Sequence, residues 1–283
     1  MQILKLDGLC KQYPAFRLEN VSFSMEAGTI MGLIGRNGAG KTTTLKSMLH
    51  LVHPDAGTVT ICGLDMDKDE REIRSRIGFV SGGASYYQRK RLRELTDVTK
   101  RFYPGWDDGR YARLVRQFSL DESKRVCELS EGMKVKYQLA AAMSHRAELL
   151  ILDEPTSGLD PVSRDELLDT FRTLCEQEGV SILFSTHITS DLDACADTIT
   201  YIQHGRVAAS TDKKTWTAGY LLLQGSDAAC TPALRAACIG ARSHKGELEA
   251  LLRKEDAALA AGFALTPANL EQIMVHLERE AEA

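Results

Sequence analysis

Gly35-Arg36-Asn37-Gly38-Ala39-Gly40-Lys41-Thr42 reads G-x-x-x-x-G-K-T. The apolar run 29–34 precedes it, and residues 41–51 follow with Leu45, Met48 and Leu49 at helical spacing. Strand, glycine loop, helix is the order that a phosphate-binding loop requires. Glycines let backbone N–H groups converge on phosphate oxygens, and the start of a helix adds its positive end. In that setting Lys41 supplies a mobile cation for the β and γ phosphates of a nucleotide, and Thr42 a hydroxyl for Mg²⁺.

A second stretch completes the chemistry. Leu149-Leu150-Ile151-Leu152-Asp153-Glu154-Pro155 puts two carboxylates at the end of a buried strand, the edge where doubly wound sheets bind their ligands. Asp153 is then placed to hold Mg²⁺ and Glu154 to act as general base on water. Alone, such a strand end is equally an acidic cluster before a helix; beside a phosphate loop it becomes the partner site.

Around these motifs the texture alternates between strand and helix. Residues 3–9 and 18–24 alternate apolar and polar like antiparallel strands, and 59–62 and 77–80 read as further strands. The charged block 86–129 is expected to be mostly helical, with an amphipathic turn set at 111–118, and 133–143 is a second helical run. Asp160-Pro161 supplies an N-cap and a first-turn proline for a helix whose apolar face is Leu167, Leu168, Phe171 and Leu174. Residues 180–185 form a buried strand with His187 just beyond it, and 199–209 a hairpin turning at His204-Gly205. Past about residue 210 the sequence becomes alanine-rich and repeats none of the motifs. There, Thr266-Pro267 is expected to cap and open the last helix.

Composition narrows the class. The chain has 283 residues, 43% hydrophobic and 26% charged, which are globular values that exclude collagenous, disordered and coiled-coil readings. Thirty-five basic residues against 39 acidic give a net charge of −4, so no nucleic-acid partner is expected. No run approaches the roughly 18 apolar residues of a membrane span, and the first ten residues read as neither signal peptide nor lipobox. Seven cysteines without a C-x-x-C pair suit buried thiols in a reducing compartment.

With both motifs in place the chain resembles the ATP-binding cassette of ABC transporters over about residues 2–210. Leu129-Ser130-Glu131-Gly132-Met133 looks like the family signature L-S-G-G-Q, with Glu131 and Met133 as substitutions. Ser157-Gly158-Leu159-Asp160 resembles the D-loop, His187 the switch histidine, and Tyr13 the aromatic that stacks on adenine. The resemblance implies that ATP is held by Tyr13, Gly35, Arg36, Asn37, Gly38, Ala39, Gly40, Lys41, Thr42 and Thr43, and that Thr42 and Asp153 take Mg²⁺. It implies that Glu154 and His187 are catalytic, and that Ser130, Gly132 and Asp160 act across a head-to-tail dimer with a second copy or a related cassette. It further implies a separate membrane permease, so that the chain sits peripherally on the cytoplasmic face of the membrane. The basic run Gln88-Arg89-Lys90-Arg91-Leu92-Arg93 lies in the part that faces the permease in this family, although a solvated face explains it equally.

One position departs from the pattern. The family places a glutamine after the 77–80 strand, whereas this chain reads Val80-Ser81-Gly82-Gly83; Gln88 comes six residues late, and Ser81 or Ser85 offers only a shorter hydroxyl. The segment Phe102-Tyr103-Pro104-Gly105-Trp106-Asp107 and the Glu131-containing signature resemble bacterial ABC-2-type exporters.

The expected fold is therefore an α/β P-loop cassette over 1–212, with an antiparallel β subdomain and an inserted helical subdomain at about 84–145, plus a small α+β domain at 213–283. The expected function is Mg·ATP hydrolysis that powers export. Two rivals are a soluble ABC-type ATPase acting on ribosomes or DNA, disfavoured by the single motif set, and a weakly hydrolysing regulatory subunit, favoured by the missing glutamine but opposed by the intact Asp153-Glu154 and His187.

Overall fold

The computed structural model describes residues 1–81 and 87–282, and it divides the chain into two compact units, Met1–Ser210 and Thr211–Ala283. In the first unit β1 (Gln2–Tyr13) and β2 (Phe16–Glu26) form a long antiparallel pair, because their apolar positions alternate with polar ones. Next, β3 (Ile30–Ile34) has all five residues buried, the continuous pattern of a strand covered on both faces. It runs into α1 (Lys41–Met48), and then β4 (Ala56–Ile61) and β5 (Leu64–Asp65) join β1, giving the sheet order β2-β1-β4-β5. Leu45, Met48 and Leu49 of α1 and its end are buried in one core with Leu4, Leu6 and Val21 of that sheet and Ile151 and Leu183 of the central one.

After α2 (Glu70–Arg76) comes β6 (Ile77–Ser81), and then the inserted segment carries α3 (Leu92–Thr99), α4 (Asp108–Gln117) and α5 (Glu131–Ser144). The insertion is less regular than its charge pattern suggests, since residues 118–130 hold only one short 3₁₀ turn, Val126–Glu128. That stretch runs instead against 88–93: Arg91 bridges Arg125, Cys127 donates its N–H to the Gln88 carbonyl at 3.0 Å, and Leu92 to that of Lys124 at 3.1 Å. The Thr96 hydroxyl ties the three helices together through the Tyr111 hydroxyl at 2.7 Å and the Tyr137 hydroxyl at 3.1 Å.

Thereafter β7 (Leu149–Asp153), α6 (Pro161–Glu178), β8 (Ser181–Thr186), α7 (Thr189–Cys195), β9 (Thr198–Gln203) and β10 (Arg206–Asp212) complete the unit. The central sheet has the order β10-β9-β3-β8-β7-β6, with β9, β3, β8, β7 and β6 parallel. Its register places Ile34 beside Thr186, Ser185 beside Asp153 and Asp153 beside Ser81. The residues that follow β3, β7 and β8 therefore emerge at one edge, as the switch-point rule for open α/β sheets requires.

The second unit contains α8 (Lys213–Ala218), β11 (Tyr220–Ser226), α9 (Pro232–Ala237), β12 (Ile239–His244), β13 (Glu247–Arg253), β14 (Ala264–Pro267) and α10 (Leu270–Glu282). Its antiparallel sheet runs β12-β13-β11-β14, with Leu223, Leu248, Ala250 and Leu252 packed on Leu234 of α9. The cap expected at Thr266 is not there: Thr266 and Pro267 pair with β11, and Asn269 caps α10 by exchanging hydrogen bonds with Gln272, each at 2.9 Å. Among the described residues no helix is long and apolar enough to cross a membrane.

Candidate functional site

The glycine loop leaves β3 and is braced from two sides. A Cβ on Gly35 would stand 2.3 Å from the Ile202 carbonyl oxygen, so only glycine fits there. Gly40, at φ 115°, turns the chain into α1 as its N-cap. The Gly205 N–H donates to the Ala39 carbonyl at 2.9 Å, which anchors the loop to the β9–β10 turn. Arg36, Asn37 and Gly38 remain exposed, and Thr42 and Thr43 occupy the first turn of α1. Tyr13 is half-buried at the end of β1, and its cross-turn partner Phe16 is the ring that stands against Gly40; nothing in the motif reading pointed to Phe16.

Lys41 is only 5% exposed. Its Nζ donates to the Gly35 carbonyl at 2.8 Å and the Arg36 carbonyl at 3.2 Å, and it lies 3.2 Å from Glu154 Oε1. The other Glu154 oxygen, Oε2, is 2.8 Å from His187 Nδ1. One carboxylate thus bridges the cation of the loop and the histidine beyond β8. Asp153 is buried, and its Oδ1 accepts the Thr42 hydroxyl at 3.0 Å and the Ser185 hydroxyl at 2.7 Å. Ser185 also accepts the Glu154 N–H at 2.9 Å, at a residue whose φ is 49°. Left-handed backbone at a non-glycine residue is strained and persists only where neighbours hold it. Ser185 is therefore a site residue that sequence reasoning missed.

The signature opens α5, and the D-loop follows Glu154 closely, the Ser157 N–H donating to the Glu154 carbonyl at 3.2 Å. Ser130 caps α5, its Oγ accepting the Met133 N–H at 3.3 Å. A Cβ on Gly132 would touch Leu159 and Ser163 at 3.6 and 3.7 Å, which packs the signature turn on the D-loop of its own chain. Asp160 caps α6, accepting the N–H groups of Val162 and Ser163 and the Ser163 hydroxyl, and these bonds, the hydroxyl first, hold its carboxyl below the usual range. Ser81 ends β6 beside Asp153, whereas Gln88 is tied to Cys127 through its backbone; Ser85 lies outside the described residues.

The loop offers N–H groups at a helix start beside a cation, and the strand ends offer a hydroxyl, two carboxylates and an imidazole. Such a set can bind polyphosphate, take a hard cation between Thr42 and Asp153, and accept a proton at Glu154.

Residues 18–157 match the family model for ABC transporter. The Nod factor export ATP-binding protein I of Burkholderia lata is 37% identical over 197 residues, covering 68% of this chain and 64% of that protein, so the chain spans under two thirds of that relative. The bacitracin transport ATP-binding protein BcrA of Enterococcus faecalis is 32% identical over 208 residues, 72% of this chain and 68% of the relative. A solved structure of an ATP binding subunit of an ABC transporter superposes with a TM-score of 0.67 at 30% identity, covering 75% of this chain and 91% of its own.

Proposed function

This chain belongs to the ABC transporter family of ATP-binding proteins, and on that premise we propose that it binds and hydrolyses ATP to power a separate membrane permease. The observation that carries the reading is Glu154, with one oxygen on Lys41 and the other on His187. On ATP binding Lys41 exchanges Glu154 for phosphate oxygens, and the start of α1 and the loop amides hold the same charge. Glu154, released from Lys41, takes the proton of the attacking water, and His187 donates to the γ-phosphate. Tyr13 stacks on the adenine.

The Thr42 hydroxyl and the Asp153 carboxylate, 3.0 Å apart, are hard oxygen donors that fit Mg²⁺. When bound, the ion neutralises charge on the β and γ phosphates.

Ser130, Gly132 and Asp160 would serve the site of a second cassette, whether another copy or a related chain. The names of the relatives favour export, as does the similarity of the sequence to ABC-2-type exporters. Peripheral attachment to the cytoplasmic face of the membrane follows from a permease partner. Residues 213–283 would then form an accessory domain outside the 1–212 cassette.

Phosphate release by the purified chain with ATP and Mg²⁺ tests the reading. Turnover that disappears in Lys41→Ala is expected. Turnover equal in the two proteins would overturn the assignment, and very slow turnover in both would favour the regulatory alternative.

A further inference from the structure

Asp191 lies on α7, outside every motif considered above, and is fully buried. Its Oδ2 accepts the Thr156 hydroxyl at 2.7 Å and the Thr186 hydroxyl at 3.0 Å. Its Oδ1 accepts Arg164 Nε, and the same guanidinium reaches Ser190 Oγ at 2.9 Å. Thr156 follows Glu154 by two residues, and Thr186 immediately precedes His187. The Thr186 oxygen also accepts the Ile188 N–H at 3.0 Å, which fixes the turn around His187. Thr156 and Arg164 bracket residues 157–160, so a single carboxylate grips both ends of the D-loop and the strand end that bears the histidine.

We propose that Asp191 is a positioning residue that makes the D-loop and His187 move as one body. A carboxylate without solvent must keep its donors, because an unpaired charge or hydroxyl in that interior is costly. Displacing Thr186 therefore strains the grip on Thr156 and Arg164, and the reverse holds equally. In the proposed function this joint reports γ-phosphate contact at His187 to the loop that crosses to a second cassette. Asp191, Thr156 and Thr186 are all buried, so their effect belongs in turnover rather than in ATP affinity.

The test uses the full chain with Thr186→Val and Thr156→Val, which remove one hydroxyl each at nearly constant volume, and the hydroxyl-restoring Thr186→Ser and Thr156→Ser. Two variants guard against one that fails to fold. The amides of Ser157 and Leu159 are hydrogen-bonded to the carbonyls of Glu154 and Thr156 and report the loop by hydrogen exchange. The expected result is that Thr186→Val speeds their exchange by on the order of 10-fold, that Thr156→Val does the same at Ile188, and that the serine variants stay within about 2-fold of the parent. Turnover should fall about 10-fold in each valine variant with KM for ATP unchanged within about 2-fold. Faster exchange confined to the substituted segment, or KM rising as kcat falls, would overturn the proposal. Absence of ATP turnover in the parent chain would end the proposed function alone, and exchange without nucleotide would still decide on Asp191.

Discussion

Lys41 Nζ lies 3.2 Å from Glu154 Oε1, so the cation proposed to hold phosphate is paired with the group proposed to activate water. His187 occupies the second oxygen of that carboxylate at 2.8 Å. In the proposed function ATP takes the place of Glu154 on Lys41, which frees that carboxylate to act as the base.

Glu154→Gln should accordingly slow hydrolysis by roughly 10²-fold or more, because the amide cannot take the proton of water. ATP affinity should be equal or higher, since Lys41 no longer has an ionic partner to exchange. Equilibrium ATP binding and single-turnover phosphate release measure the two effects, and sedimentation should show an ATP-trapped dimer. Unchanged turnover would remove Glu154 from its role.

Ser185 holds Asp153 and the Glu154 backbone with one hydroxyl. Ser185→Ala leaves the part-buried Glu154 N–H unpaired at a strained residue, a loss of about 1–3 kcal/mol. A drop in melting temperature and slower turnover should appear together, because the same hydroxyl holds the Asp153 carboxylate and the backbone that carries Glu154. Thermal unfolding beside a turnover assay checks this, and full activity with the parent melting temperature would refute it.

Burial pushes the Tyr137 hydroxyl up to about 12, opposed by its hydrogen bond with Thr96. An ordinary tyrosine titrates near 10, so the unfolded chain ionises first. The folded state keeps this contribution below about pH 10 and loses it as pH rises toward 12. Tyr137→Phe should flatten that alkaline decline in a urea-unfolding series between the two pH values. An equally steep decline in both proteins would show that Tyr137 is not its source.

In the resemblance Ser130 and Gly132 act on nucleotide bound to another cassette, and here Ser130 caps α5 while Gly132, in its first turn, packs against the D-loop of its own chain. Mixing Lys41→Ala chains with Ser130→Arg chains should restore up to about one intact site per mixed dimer. ATPase activity of the mixture is the measurement. If native mass spectrometry shows mixed dimers and the mixture stays as inactive as its components, the shared-site arrangement fails.

What could be read in advance was whatever the chain encodes locally. The buried runs at β3 and β7 announced a parallel sheet, and glycine spacing with Lys41 announced the loop, because each depends on neighbours in sequence. Ser185 and Asp191 were invisible because a lone polar residue in an apolar strand or short helix carries no pattern, and their partners Asp153, Thr156 and Arg164 lie 27–35 residues away. The pairing of 88–93 with 122–127 was hidden for the same reason. At the last helix, two local signals competed. Thr266-Pro267 fits an N-cap and first turn, but the pairing of β14 with β11 takes those residues and moves the start to Asn269.

The second unit buries Leu223, Leu248, Leu252, Leu270 and Ile273, and its sequence offers no phosphate or nucleophile motif. The compact division falls after Ser210, but β10 continues to Asp212, so truncation after Asp212 keeps the edge strand of the central sheet whole. The truncated chain should retain Lys41-dependent ATP affinity within about 3-fold of full length, a difference under about 1 kcal/mol. Association with a second cassette or a permease should weaken, because the removed unit then contributes surface rather than chemistry. Isothermal titration with ATP and sedimentation of both lengths make the comparison. A folded truncation that no longer binds ATP would show that residues 213–283 belong to the nucleotide site.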